Sequence, residues 1–200
     1  MIEDCTAIIL AGGDSRRMGS DKANLLFGGQ TLLQRVSATM QEIFPHVIIS
    51  VRRPRPEIGL PQVCDERAGA GAAPGDGPLA GLVAGLGRVT TPWAFAVACD
   101  MPFVEPAVVE LLGKFRPACQ AVVPVVQGYP QPLAAFYASS CLAEMRASLL
   151  SQDKSLRGML QKLDACYVDQ AGMLEADPLL RSFFDLDTPQ DVEAALHGVK

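Results

Sequence analysis

Residues 6–22 read Thr-Ala-Ile-Ile-Leu-Ala-Gly-Gly-Asp-Ser-Arg-Arg-Met-Gly-Ser-Asp-Lys. The short apolar run Thr6–Leu10 meets Gly12-Gly13 almost at once, which predicts a buried strand ending in a turn. Gly12–Lys22 is polar, charged and glycine-bearing, and reads as a loop. Further strands are expected over Val47–Val51, Gln62–Cys64, Trp93–Cys99, Gln120–Val126, Leu133–Tyr137 and Ala165–Val168. Helices are expected over Thr31–Phe44, Leu79–Leu86 and Glu105–Phe115, from Ser139 or Ser140 to Leu150, and over Ser155–Leu163 and Thr188–Leu196. Alternation of apolar strands with helices predicts an α/β fold with a mainly parallel sheet covered on both faces. Ligands of such sheets bind off the carboxyl ends of the strands. Gly12-Gly13, Arg52-Arg53, Asp65 and Asp100 follow the first four expected strands, placing a glycine turn, cations and carboxylates on one edge.

The chain has 200 residues, with 17 Lys+Arg against 22 Asp+Glu, for a formal charge of −5. One domain over residues 1–200 is the expectation at this length. The acidic balance excludes a protein that coats nucleic acid, because phosphate neutralisation needs a basic excess. It does not exclude small anions, since residues 1–67 hold eight basic and eight acidic residues and sum to zero. Acids stand near the start, where a signal peptide carries Lys or Arg, and no apolar run approaches a membrane span. The six cysteines show no CxxC spacing and read as reduced thiols acting as small core residues, so the expected setting is the cytoplasm.

Glycines in the 10–22 loop allow close backbone approach to phosphate oxygens, and Arg16, Arg17 and Lys22 add cations suited to a triphosphate. The loop matches neither GxxxxGK[ST] nor GxGxxG, and a glycine turn with solvated charges is the other reading. Asp100 ends the most apolar run, where a carboxylate is costly unless paired or holding a cation. It is the metal-ligand candidate, because Mg²⁺ takes one or two carboxylates plus substrate phosphates; a cap before Pro102 is the alternative. Asp65 suits a contact to a base or ribose, assistance to the metal, or a plain loop carboxylate. Arg52, Arg53 and Arg55 read as a solvated basic loop, with a grip on a second phosphate as the alternative. Asp187 or Thr188 is expected to cap the last helix, with Pro189 in its first turn, and a role of the Asp185–Pro189 segment in the site is the alternative. Tyr129-Pro-Gln-Pro132 reads as a turn between strands, either lining a substrate mouth or serving only as a turn. His46 and His197 stand in no nucleophile motif.

Leu10-Ala-Gly-Gly-x-Ser-x-Arg-Met-Gly-x-Asp-Lys22, Asp65, Gly77-Pro-Leu-Ala-Gly81 and Cys99-Asp-Met-Pro-Phe103 together resemble the molybdenum cofactor guanylyltransferase (MobA) family. Tyr129-Pro-Gln-Pro132 and Asp187-Thr-Pro-Gln-Asp191 fall where that family has related motifs, so the resemblance runs over nearly the whole chain. It implies a Rossmann-like three-layer α/β/α sandwich of the nucleotide-diphospho-sugar transferase type. It also implies transfer of GMP from GTP to the terminal phosphate of molybdopterin, with loss of pyrophosphate. By motif, the resemblance gives Leu10, Ala11, Gly12, Gly13, Lys22, Asp65 and Asp100 to the nucleotide. It gives Lys22, Asp100 and Arg17 to catalysis, and Asp100 to Mg²⁺. It implies a cytoplasmic monomer whose further partners are molybdoenzymes or their chaperones. Two departures stand out. Asp185-Leu-Asp187-Thr-Pro replaces the family's usual Asn-x-Asn-Thr-Pro, a doublet similar to cytidylyl-transferring relatives. Ser50 and Arg52 stand near a position where the family has a nucleotide-contacting Asn, so that contact is not carried over. The alternatives are a cytidylyltransferase on the same cofactor, another small-molecule nucleotidyltransferase, and a non-catalytic nucleotide-sensing or cofactor-delivery protein.

Overall fold

The computed structural model describes residues 1–12, 22–64 and 77–196. In chain order these form β1 (Cys5–Leu10), a short ribbon of β2 (Leu26–Phe27) and β3 (Gln30–Thr31), α1 (Leu32–Ile43), β4 (His46–Val51) and β5 (Gln62–Cys64). There follow α2 (Gly77–Leu86), β6 (Trp93–Ala98), α3 (Pro106–Gly113), β7 (Ala121–Val126), β8 (Tyr129–Pro130) and β9 (Ala135–Ala138). The last elements are α4 (Leu142–Leu150), α5 (Leu156–Leu160), β10 (Ala165–Asp169) and α6 (Pro189–Leu196). The sheet order is β10-β7-β9-β6-β1-β4-β5, with β8 folded back on β7. Pairing is parallel from β6 through β1 and β4 to β5, and between β7 and β10; β9 runs antiparallel between β6 and β7.

Both faces of β1 are buried, and its side chains alternate between two cores. Ala7 and Ile9 join Val36 and Met40 of α1 and Val109 and Leu112 of α3. Ile8 and Leu10 join Leu79, Leu82 and Val83 of α2, with Met145 of α4 and Met159 of α5 beyond. The helices therefore cover both faces, as an α/β/α sandwich. Right-handed crossovers explain the division. The chain moves outward from β1 through α1 to β4, then returns past β1 through α2 to β6. Reversing direction places the second helix on the opposite face and opens a crevice at the carboxyl ends of β1 and β6.

Thr31 opens α1 with a reciprocal cap: its hydroxyl accepts from the Gln34 N–H at 3.1 Å, and the Gln34 side chain accepts from the Thr31 N–H at 2.9 Å. The α2 sequence is apolar on every side, which fits its complete burial from Leu79 to Leu86. Gly77 enters it at φ +73°, a left-handed conformation that glycine adopts without strain.

Several boundaries depart from the sequence expectations. Residues 139–141 form a 3₁₀ turn with no side-chain cap, so neither Ser139 nor Ser140 starts α4 in the expected way. β9 begins at Ala135 because Ala134 is left-handed, at φ +81°, with its N–H held by the Ala96 carbonyl at 2.7 Å. Cys5, Cys99 and Cys141 are buried free thiols, whereas Cys64 is exposed at the end of an edge strand and is no core residue. Among the described residues no helix is long and apolar enough to cross a membrane.

The close seat of α2 on β1 depends on Gly85. A Cβ there would stand 2.5 Å from Cγ2 of Ile8, a branched side chain fully buried under the helix. Gly85→Val is expected to destabilise the fold by about 1–3 kcal/mol through overpacking. Gly59→Ala, with open space around it, is the control. Urea midpoints that coincide for the two variants would refute this packing account.

Candidate nucleotide-binding site

The parallel ladder sets three loop starts side by side. Leu10 is in register with Ser50 of β4 and Ala98 of β6. Beyond the strand ends, the Ala11 N–H donates to Ser50 O at 2.8 Å and the Cys99 N–H donates to Leu10 O at 3.1 Å. These bonds carry the register one step into the loops. Over this edge opens a cavity of about 530 Å³. Leu10, Ala11 and Gly12 form one wall, Ser50 and Arg52 another, and Ala98–Met101 a third. Gly77, Pro78 and Gly81 bring the N-terminus of α2 to the same space, whose partial positive charge suits an anionic ligand. Gln131, Pro132, Leu133, Leu156, Lys22 and Asp185 complete the lining.

A charged cluster stands at this cavity. The Lys22 ammonium donates to Asp100 Oδ2 at 2.9 Å and also to Asp187 Oδ1. Lys22 and Asp100 are largely enclosed, with 20% and 17% of their side-chain surface exposed, while Asp187 is half open. Burial works against the Lys22 charge. Its hydrogen bonds to Asp187 and Asp100, and their negative charge, outweigh that and raise its pKa above the usual lysine value.

The Asp185-Leu186-Asp187 segment reaches the cluster through extended-chain alternation. Leu186 is fully buried with Phe27, Leu32 and Val192, and its N–H donates to Asp100 O at 2.9 Å. That anchor leaves the carboxylates of Asp185 and Asp187 on the side opposite Leu186. Asp185 lines the cavity with part of its surface in water. Burial, together with the charges of Asp100 and Asp187, pushes its carboxyl up to about 7, with Lys22 working in the other direction. Thr188 caps α6 reciprocally: its hydroxyl accepts from the Asp191 N–H at 3.2 Å, and Asp191 Oδ2 accepts from the Thr188 N–H at 2.9 Å. Of the two expected cap candidates, Thr188 takes the role and Asp187 turns to Lys22.

Of the sequence-nominated residues, Leu10, Ala11, Gly12, Lys22 and Asp100 come together here. Gly13, Arg16, Arg17, Asp65, His197 and the loop residues 68–76 lie outside the described residues. Arg52, read as part of a solvated loop, lines the cavity instead. Arg55 of the same run donates to Glu57 and Asn24 at 2.9 and 2.8 Å, away from the cavity lining. Ser50 carries no assignment in the sequence reading, whereas Gln131 stands in a turn offered as a substrate mouth and Asp185 in a segment offered as a cap or a part of the site; both line the cavity. The alternating Asp-Leu-Asp pattern was the available signal for Asp185.

A family model for the MobA-like NTP transferase domain matches residues 7–166. A probable molybdenum cofactor guanylyltransferase of Natronomonas pharaonis is 33% identical, covering 95% of this chain and 96% of that protein. A molybdenum cofactor guanylyltransferase of Desulfosudis oleivorans is 30% identical over 98% of this chain and 96% of its own length. Among solved structures, molybdopterin-guanine dinucleotide biosynthesis protein A from Archaeoglobus fulgidus superposes with a TM-score of 0.82 at 27% identity, covering 96% of this chain and 97% of that one. The fold alone is shared with 2-C-methyl-D-erythritol 4-phosphate cytidylyltransferase from Thermus thermophilus, at a TM-score of 0.66 and 19% identity over 97% of this chain and 98% of that one. With the match running from β1 through Lys22 and β6 into β10, the chain belongs to the MobA-like NTP transferase family.

Proposed function

We propose that the chain transfers GMP from GTP to the terminal phosphate of molybdopterin and releases pyrophosphate. The observation that carries this reading is the Lys22 ammonium held by Asp100 and Asp187 at the cavity beside the Leu10-Ala11-Gly12 turn. The guanylyltransferase names of near-full-length relatives choose the nucleotide and the acceptor. The reading carries with it one working domain over residues 1–200, acting as a monomer in the cytoplasm, with molybdoenzymes or their chaperones downstream.

An oxygen of the acceptor phosphate attacks the α-phosphorus, the α–β P–O bond breaks, and the electron pair leaves with pyrophosphate. The nucleophile is already an anion and needs no general base. Catalysis then rests on positioning and on neutralising charge. Leu10, Ala11, Gly12 and Gly13 seat the nucleotide with Asp65, and Arg17 and Lys22 answer the charge accumulating on the departing group.

The donor set fits Mg²⁺. Asp100 and Asp187 hold the ammonium and Asp185 stands near them, its carboxyl raised by burial first and then by their charges. Among the described residues no group of three or more His, Cys, Asp and Glu forms an all-protein metal site. Mg²⁺ takes one or two carboxylates and completes its shell with water and phosphates. Asp100 would hold it, and the ion would supply polarisation of the α-phosphoryl group and screening between two anions.

Asp100→Ala is expected to lower GMP transfer by about 10²–10⁴-fold while the circular dichroism spectrum persists. Lys22→Ala is expected to lower kcat and raise the KM for GTP. Pyrophosphate release with GTP or CTP and molybdopterin tests both variants and the base; equal turnover of wild type and Asp100→Ala, or preference for CTP, overturns the assignment.

Asp185 gives a pH-dependent signature. Between about pH 4 and 7 the native state holds a proton that the unfolded chain has released, so stability falls as pH rises through this window. Asp185→Asn removes the dependence. In metal-free buffer its melting temperature should match wild type near pH 4 and exceed it at pH 8. Because the carboxylate touches water, screening holds the difference to about 1 kcal/mol. A melting-temperature difference that stays constant from pH 4 to 8 would contradict this origin.

A further inference from the structure

Lys22 reaches into the cavity at the sheet edge and sets its ammonium between two carboxylates. It donates to Asp100 Oδ2 at 2.9 Å and to Asp187 Oδ1, while Asp185 lines the same space. A cation thus already sits on the carboxylate nominated for the divalent ion. We infer that Lys22 is a built-in counter-cation that holds the Asp100 site closed to divalent ions until a triphosphate draws its ammonium away. The inference deepens the nucleotidyl-transfer reading, from which it takes the ion and the triphosphate. The hold of Lys22 on the two carboxylates does not depend on that reading.

The ammonium and a divalent ion compete for the same oxygens. Seated together they would place like charges side by side where Lys22 and Asp100 have only 20% and 17% of their side-chain surface exposed. Little water is left there to screen the repulsion. Each therefore excludes the other, and in the nucleotide-free chain the ammonium has the advantage of being tethered.

The backbone on both sides of the contact is fixed, so the movable part is the lysine side chain. Ala23, next to Lys22, is buried in the core that holds Leu33 and Val36 of α1. The Leu25 N–H donates to Lys22 O at 3.0 Å and closes the 3₁₀ turn that carries the lysine. Opposite, the Leu186 N–H donates to Asp100 O at 2.9 Å and ties together the two segments that bear the carboxylates. The lysine stem, by contrast, is four flexible carbons ending in a compact charge.

A destination for the ammonium lies in the same cavity. The Leu10-Ala11-Gly12 turn and the N-terminus of α2 at Gly77 and Pro78 line it, and a helix N-terminus favours phosphate oxygens. A triphosphate seated there offers Lys22 new anionic acceptors. Exchanging carboxylate for phosphate then takes only rotation about side-chain bonds, and it uncovers Asp100 at the moment the nucleotide is in place. The divalent ion accordingly enters with the nucleotide and not before it.

The test measures metal binding with neither nucleotide nor acceptor present. Mn²⁺ serves as the paramagnetic probe, and free Mn²⁺ is read by electron paramagnetic resonance. Lys22→Met, which keeps an unbranched side chain and removes the charge, should bind Mn²⁺ about tenfold more tightly than wild type. Lys22→Arg keeps the charge and should stay with wild type, whereas a merely structural role of Lys22 would move both variants alike. Adding Asp100→Asn to Lys22→Met should abolish the gain. In wild type, raising Mn²⁺ until it binds should speed acetylation of Lys22 by acetic anhydride severalfold, read by peptide mass spectrometry. Acetylation that stays constant while Mn²⁺ binds overturns the exclusion without recourse to any variant. Equal Mn²⁺ affinity of wild type and Lys22→Met also overturns it and leaves the guanylyltransferase reading standing. Absence of GMP transfer would overturn that reading and leave the metal-binding result untouched.

Discussion

A strand with parallel neighbours on both edges and helices on both faces leaves its own residues no freedom of register, and β1 is that strand. Slipping it by one residue would turn Ala7 and Ile9 toward α2 and Ile8 and Leu10 toward α1, into two cores of different shape. The ladder beyond it has the same stringency, since Ala11 and Cys99 continue the pairing past the strand ends. The walls of the cavity at the sheet edge are thus set by backbone hydrogen bonds. Gly12, Arg52 and Asp100 are brought near one another by the sheet, and the side chains then only have to be of suitable chemistry.

The chemistry at that edge is dominated by negative charge in a partly enclosed place. Lys22 is held by Asp100 and Asp187, with Asp185 nearby and Arg52 lining the same cavity. Removing one partner from such a cluster leaves the others poorly compensated, which is why partly buried pairs are more sensitive to loss of a member than exposed ones. The net charge of −5 is no guide to this balance. A site that handles a triphosphate needs a few cations at the right place, and the chain's acidity can reside elsewhere.

Much of this was legible in the sequence because it depended on local pattern. The apolar runs marked the seven longer strands to within a residue or two, the helical stripe from Thr31 marked α1, and Asp100 stood out as a carboxylate ending an apolar strand, while the two-residue strands β2, β3 and β8 carried no such run. A second cavity, of about 500 Å³, was not legible. It is assembled from Phe103, the 127–131 turn and the 179–184 segment, which share no period and meet only through tertiary packing. Arg52 and Arg55 illustrate the same limit. They are neighbours in a basic run, yet one turns to the cavity while the other pairs with Glu57 and Asn24. Sequence distance does not decide which way a loop side chain turns; the partners of the surrounding backbone do.

The segment from Phe184 to Asp187 shows how one short stretch can serve two cavities. In extended chain, consecutive side chains leave on opposite sides. Leu186 is locked into the small core that also receives Phe103 and Phe184, and its N–H is tied to the carbonyl of Asp100. With that one residue fixed, Asp185 and Asp187 must face Lys22 while Phe184 faces the aromatic side. Carboxylates in place of the amides of the resembled family keep this alternation and add negative charge beside Asp100. The backbone constraint that brings Phe103 and Phe184 beside Lys22 and Asp100 is therefore also the one that concentrates this charge.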